Sequence, residues 1–306
     1  MSVLALTDIH RSFEPGVPVL DGVDLEVQAG EVVGLLGRNG AGKTTLIHIA
    51  MGMLHQQQGT VEVFGLDPHR EPVEVKKRIG FVSENQILPA FLKVREVVEL
   101  HRSLFSSWDD EMAARLVDRF KLRPGARIKT LSKGQARQVA LLCAVCHKPE
   151  LLLLDEPAGG LDALARREFL ETSIQALSDT GTTIVFSSHY LSDVERLAGR
   201  VVMLHDSKVL IDNSIDELHE SFSIALVPHR PQGTSEALLG LPECLGVRVR
   251  SGIQRHIAGI DRAATDIQSR RRLRDRHTSS QRKAADPFLQ RLVDHGGIRS
   301  WLRTAH

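Results

Sequence analysis

Between Glu31 and Leu54 the chain reads E-V-V-G-L-L-G-R-N-G-A-G-K-T-T-L-I-H-I-A-M-G-M-L. Val32 to Leu36 is an apolar run of strand length. It breaks at Gly37-Arg38-Asn39-Gly40-Ala41-Gly42-Lys43-Thr44-Thr45, and Leu46, Ile47, Ile49, Ala50, Met53 and Leu54 then recur with helical spacing. Strand, glycine-rich loop and helix form the setting in which G-x-x-x-x-G-K-[ST] signals a phosphate-binding loop. Glycines let backbone N–H groups curl round a polyphosphate without Cβ clashes, and the following helix N-terminus aims about half a positive charge at the anion. Lys43 is expected to neutralise the β- and γ-phosphates, with the Thr44 hydroxyl on Mg²⁺. The stretch therefore predicts a nucleoside-triphosphate site.

A second apolar run, Leu151 to Leu154, ends in Asp155-Glu156-Pro157. Strands buried on both faces read as continuous apolar runs, as parallel sheets require, and ligands gather at their carboxyl ends. Asp155 is thus expected beside the phosphates, holding Mg²⁺. Glu156 is expected to orient and deprotonate the attacking water. A third run, Thr182 to Ser188, delivers His189 to the same edge, where a polar side chain beside the γ-phosphate is expected.

Around these runs, residues 3–28 alternate in short apolar bursts broken at Pro15-Gly16 and Asp21-Gly22, the spacing of antiparallel strands and hairpins. Phe13 lies there, either packed or free to stack on an adenine ring; the motifs that follow favour stacking. Gly59–Gly65 and Ile79–Val82 read as strands and Glu71–Arg78 as a helix. Residues 92–122 read as helices, with Ser107-Trp108-Asp109-Asp110 as a start. Leu131-Ser132-Lys133-Gly134-Gln135 opens a long apolar helix to about Cys146, and Gly159-Gly160-Leu161-Asp162 is a turn into a charged helix. Val201–Leu204 and Lys208–Ile211 form a closing hairpin, followed by a short helix from Asp216.

Apolar content of 42% and 25% charge are ordinary for a globular protein. No run approaches the roughly twenty apolar residues that span a bilayer. The N-terminus lacks the regions of a signal peptide, so a cytoplasmic protein is expected, reaching the membrane only through a partner. Cys143, Cys146 and Cys244 make no disulfide framework; the C-x-x-C of the first two lies in V-A-L-L-C-A-V-C and reads as helix packing.

The net charge of +1 hides an asymmetry. Residues 1–222 carry 24 Lys+Arg against 31 Asp+Glu, and residues 223–306 carry 15 against 7, with Lys283 the only lysine among the 15. The break near residue 222 predicts a boundary between a globular part, 3–222, and a basic tail, 223–306. The tail holds R-V-R-S-G-I-Q-R-H-I and S-R-R-R-L-R-D-R-H, with no clear helical or strand period. Three readings of it stand: a flexible solvated tail, electrostatic docking on anionic lipid or nucleic acid, and a change of reading frame near residue 222. Aromatics for base stacking are nearly absent there (Phe288, Trp301), which argues against single-stranded nucleic acid.

Together these residues resemble the ATP-binding subunits of ABC transporters over residues 3–222. G-R-N-G-A-G-K-T-T matches Walker A, L-L-L-L-D-E-P Walker B with its glutamate, and L-S-K-G-Q the family signature. G-G-L-D resembles the D-loop and S-S-H the switch histidine. The resemblance implies an α/β P-loop NTPase fold. Its core sheet is mainly parallel, with an N-terminal antiparallel β subdomain and a helical subdomain carrying the signature. It implies ATP and Mg²⁺ as cofactors and a separate transmembrane permease as partner. It also implies a head-to-tail homodimer or heterodimer, in which Leu131–Gln135 of one subunit meets the ATP of the other. The form without a fused permease is most like bacterial ABC-2-type exporter subunits. Two departures stand out: Lys133 where glycine is commoner, and Glu84 where the family has a glutamine that reaches the metal. A soluble ABC-type regulator of nucleic acid or ribosomes is the alternative. Its usual tandem ATP sites or coiled-coil insertion are missing here, so no nucleic-acid partner is expected. A binding module without turnover is disfavoured by Asp155, Glu156 and His189.

Overall fold

In the computed structural model, residues 1–84, 88–178, 181–228, 244–250 and 253–259 are described below. β1 (Ser2–Glu14) and β2 (Val17–Gln28) pair antiparallel round the Pro15-Gly16 turn. The sequence break expected at Asp21-Gly22 is instead a bulge inside β2: Ile9 faces Val23 and Arg11 faces Leu20, with Gly22 at φ 69°. β3 (Val32–Leu36) leads through the glycine loop into α1 (Lys43–Ala50), and β4 (Gln58–Val63) returns to β1, giving the antiparallel order β2-β1-β4. One face of this sheet buries Leu4, Leu6, Leu25, Val27, Val61 and Val63 in a single core with Ile47 and Ile49 of α1.

After α2 (Pro72–Lys77) and β5 (Ile79–Val82) come the helices expected over 92–122, α3 (Val94–Leu104) and α4 (Asp110–Arg119). Asp109 starts α4 as its N-cap, its carboxylate accepting the Met112 N–H at 2.8 Å. α5 (Lys133–Val145) is buried from Val139 to Val145 and runs so close to β5 that a Cβ on Gly80 would lie 2.2 Å from the Ala144 carbonyl oxygen. Cys143 and Cys146 are in that buried half and unpaired. Burial pushes both thiols up, Cys146 to about 12, so the C-x-x-C is packing.

β6 (Leu151–Leu154), α6 (Ala163–Ser178), β7 (Thr183–Ser188), α7 (Leu191–Leu197), β8 (Arg200–His205) and β9 (Lys208–Ser214) complete the first unit, Met1–Asn213. Among the described residues its central sheet has the order β5-β6-β7-β3-β8-β9, parallel from β5 through β8. β6 and β7 are wholly buried, β6 as its unbroken apolar run requires and β7 around Ile184, Val185 and Phe186. β8 turns into β9 through Asp206 and Ser207, both at positive φ, the geometry that matches strand twist in a two-residue hairpin.

The second unit begins at Ser214, a little before the composition break. Its described part is α8 (Ile215–Ser221) and three strands, β10 (Phe222–Pro228), β11 (Cys244–Arg250) and β12 (Ile253–Gly259), in the antiparallel order β10-β12-β11. These strands correct the expectation that residues 223–259 carry no strand period. The period of two was present in Val247-Arg248-Val249-Arg250, but the arginine content obscured it. The S-R-R-R-L-R-D-R-H run, Phe288 and Trp301 lie outside the described residues.

Candidate functional site

The parallel register sets which residues meet. Leu36 lies opposite Ser188, and Leu154 opposite Phe186, so Gly37, Asp155, Glu156 and His189 all emerge at the carboxyl edge of neighbouring strands. The loop after β3 reaches α1 through Gly42, whose φ of 99° only glycine adopts readily. A Cβ there would also stand 2.7 Å from Leu20 Cδ2 and 2.8 Å from the Val19 carbonyl oxygen. Steric exclusion as well as torsion thus fixes glycine, and the loop is seated directly against β2.

Lys43 is 5% exposed, and its ammonium folds back over the loop. It donates to the carbonyl oxygens of Gly37 (2.7 Å) and Arg38 (3.2 Å) and lies 3.1 Å from Glu156 Oε1, an ion pair without an aligned hydrogen bond. A buried ammonium needs such acceptors to offset its lost hydration. Beside it, Asp155 Oδ1 accepts from Thr44 Oγ1 (3.1 Å) and Ser187 Oγ (2.9 Å), and Ser187 Oγ accepts the Glu156 N–H (2.7 Å). Glu156 has φ 43°, a left-handed conformation that costs about 1–3 kcal/mol in a non-glycine residue. Its Oε2 accepts from His189 Nδ1 at 2.9 Å, which assigns that proton to Nδ1 and leaves Nε2 unengaged by the carboxylate.

The donor set suits Mg²⁺. Thr44 Oγ1 and Asp155 Oδ1 are hard oxygens 3.1 Å apart, close to the edge of about 2.9 Å that octahedral ligands at 2.0–2.1 Å span. Among the described residues no group of three His, Cys, Asp or Glu side chains could hold a metal alone. The remaining ligands must then be phosphate and water oxygens, the usual Mg²⁺ arrangement at nucleotide sites.

The other expected residues divide into two sets. Phe13 is 60% exposed rather than packed, with the Arg11 guanidinium 4.9 Å from its ring centroid. Ser132 and Gln135 close a capping box on one another: the Gln135 N–H donates to Ser132 Oγ (3.2 Å) and the Ser132 N–H to Gln135 Oε1 (3.1 Å). Lys133, beginning the helix, is exposed. Asp162 caps α6, accepting the Ala165 N–H at 2.9 Å, and Leu161 Cδ2 lies 3.6 Å from where a Cβ on Gly134 would stand. The turn after β6 thus touches the start of the signature helix within one chain. Glu84 Oε1 approaches within 3.4 Å of where a Gly159 Cβ would be.

Sequence reasoning missed Arg137. Its guanidinium donates to the carbonyl oxygens of Gly159 and of Glu84 (3.2 Å), joining α5 to both loops. Burial pulls its pKa below the ordinary arginine value, partly opposed by the Glu84 carboxylate. An arginine two residues after L-S-K-G-Q carried no local signal of this role. Ser187 was also missed, although S-S-H at a strand end was the available hint.

Residues 20–159 match the family model described as ABC transporter. The chain is 36% identical over 228 residues to the ABC transporter ATP-binding protein NatA of Bacillus subtilis, covering 72% of this chain and 92% of NatA. The chain belongs to the ABC transporter family. Within that family it is an ATP-binding, ATP-hydrolysing subunit. It is also 35% identical over 242 residues to the daunorubicin/doxorubicin resistance ATP-binding protein DrrA of Streptomyces peucetius, covering 76% of this chain and 73% of DrrA. A solved ATP-binding subunit of an ABC transporter superposes with a TM-score of 0.64 at 28% identity, covering 71% of this chain and 92% of that one. A dimeric ATP-binding cassette, MJ0796, solved with ADP and Pi, shares the fold at 23% identity and a TM-score of 0.62, covering 69% of this chain and 98% of that one. Among its described residues no helix is long and apolar enough to cross a membrane.

Proposed function

We propose that this chain is the cytoplasmic motor of an ABC-2-type exporter, held on the inner face of the membrane by a separate permease. Its nucleotides would lie between two such subunits, identical or not. The observation that carries the chemistry is the Glu156 carboxylate, held between Lys43 Nζ at 3.1 Å and His189 Nδ1 at 2.9 Å beside the Thr44–Asp155 pair. In this reading the glycine loop, from Gly37 and Arg38 through Asn39, Gly40, Ala41 and Gly42 to Thr45, wraps the phosphates with its N–H groups. Lys43 leaves its internal acceptors for the phosphates. Phe13, exposed already, stacks on the adenine. Thr44 and Asp155 would hold Mg²⁺, with Glu84 as the further expected ligand, and the ion would spread the charge that develops on the phosphate oxygens. Glu156 takes the proton of the attacking water, and His189 turns its Nε2 to the γ-phosphate.

Leu131–Gln135 then receives the ATP of the partner subunit. Ser132 and the first N–H groups of α5 form an anion-binding helix terminus, and Lys133 adds a cation to it. Closure is driven by charge-assisted hydrogen bonds of roughly 1.5–3 kcal/mol each, which disappear when the γ-phosphate leaves. Export is supported by the resistance named for DrrA; the cargo is selected by the permease. A soluble regulator of nucleic acid has no observation in its favour.

Glu156→Gln tests the assignment. ATP turnover is expected to be abolished while ATP binding persists and a nucleotide-trapped dimer accumulates in gel filtration. Full turnover by that variant would falsify the assignment of the base.

A further inference from the structure

His189 holds Glu156, yet it follows the last residue of a strand and its side chain is 33% exposed, so something else must fix its ring. The neighbouring Tyr190 ring packs on it, centroids 4.0 Å apart and tilted by 41°. Tyr190 is itself clamped: the Arg166 guanidinium carbon lies 3.8 Å from its ring centroid, a cation–π contact. Arg166 is 17% exposed, with its Nε 3.5 Å from Asp193 Oδ1, and Asp193 Oδ2 accepts from Ser188 Oγ at 3.2 Å. The Tyr190 N–H donates back to Ser188 Oγ at 3.0 Å. The contacts close a ring through α6, α7 and the end of β7. Among the described residues they use the ring and backbone of Tyr190, not its hydroxyl. Arg166 sits in the first turn of α6, its N–H donating to the Asp162 carbonyl at 2.9 Å, so the clamp is carried by the helix that the Gly160–Asp162 turn begins.

We propose that Tyr190, clamped by Arg166, is a positioning residue that sets the His189 ring and through it the Glu156 carboxylate, coupling the Gly160–Asp162 turn to the reacting centre. This rests on the reading of Glu156 and His189 given above. Neither Tyr190 nor Arg166 touches nucleotide in this account; both act on geometry, where a misplacement of about 1 Å can cost on the order of a hundredfold in rate.

The test is steady-state ATPase kinetics on the full chain, with thermal unfolding and ATP binding measured on each variant. Tyr190→Ala is expected to lower kcat by roughly ten- to a hundredfold with KM for ATP little changed, and Tyr190→Phe to restore the parent rate. Arg166→Gln is expected to lower kcat in the same sense. The Arg166→Gln/Tyr190→Ala pair should be no slower than Tyr190→Ala, since both act through one contact. Parent kcat in folded Tyr190→Ala overturns the proposal, and so does a Tyr190→Phe protein as slow as the alanine variant. If Tyr190→Ala does not fold, Arg166→Gln decides: unchanged kcat overturns the clamp. Glu156→Gln is run alongside. Turnover in that variant sinks the reading of the base, whereas its inactivity with an unaffected Tyr190→Ala sinks the clamp alone.

Discussion

In the proposed site Glu84 replaces a neutral amide by a carboxylate, and the surrounding contacts indicate how much that matters. Arg137 binds the Glu84 backbone carbonyl, and the side-chain charge acts on the guanidinium only from a distance. Exchanging the carboxylate for an amide leaves the backbone contact intact. Glu84→Gln is therefore expected to keep ATPase activity within about tenfold, a barrier change of about 1.4 kcal/mol; a much larger loss in kcat would mean the carboxylate is specifically required. Gly42 is the opposite case. Gly42→Ala would force a side chain into φ 99° and against the Val19 carbonyl. It is expected to destabilise the fold by about 1–3 kcal/mol and to weaken ATP binding. Urea unfolding and nucleotide titration measure the two effects, and an unchanged pair of values would refute the seating of the loop on β2.

At the level of elements, α4 offers a prediction about acid. The Met112 N–H, then Lys148, hold the Asp109 carboxyl below the usual aspartate range. A lowered folded pKa means the carboxylate stabilises the fold above the unfolded value of about 3.9 and loses that contribution as pH falls through the folded pKa. Stability should therefore decline below about pH 4 in part through this cap. Asp109→Asn keeps an acceptor for the Met112 N–H but does not titrate, so its urea midpoint is expected to fall less steeply over the same acid range. A profile parallel to the parent's would remove Asp109 from the account. α5 links scales differently: its capped start is exposed while its end is packed under β5, so a rigid rod joins the signature residues to the core.

At the scale of the whole molecule, the proposed nucleotide edge lies in the first unit, and a strand-bearing unit follows Asn213. A chain with half of each proposed pocket should show its partners directly. Capture from detergent-solubilised membranes, with Glu156→Gln and saturating Mg-ATP, is expected to recover a polytopic membrane protein in stoichiometric amount. Recovery of ribosomes or nucleic acid instead would favour the soluble regulator.

The strand–loop–helix that begins at Val32, the carboxylates after Leu154 and the helix opened by Leu131–Gln135 were legible in the sequence, though the helical spacing ran on to Leu54 where α1 ends at Ala50. Each is a local requirement: a glycine torsion, an unbroken apolar run, an apolar helical pattern; the Ser132–Gln135 capping box came only with the structure. The bulge at Gly22, the roles of Arg137 and Ser187, the clamp of Arg166 on Tyr190 and the strands between residues 222 and 259 were not legible. Those depend on which segments lie side by side, as when Leu36 pairs with Ser188 and Leu154 with Phe186. Hydrogen bonds between residues dozens of positions apart leave no period in the chain, so only the packed sheet brings His189 within 2.9 Å of Glu156.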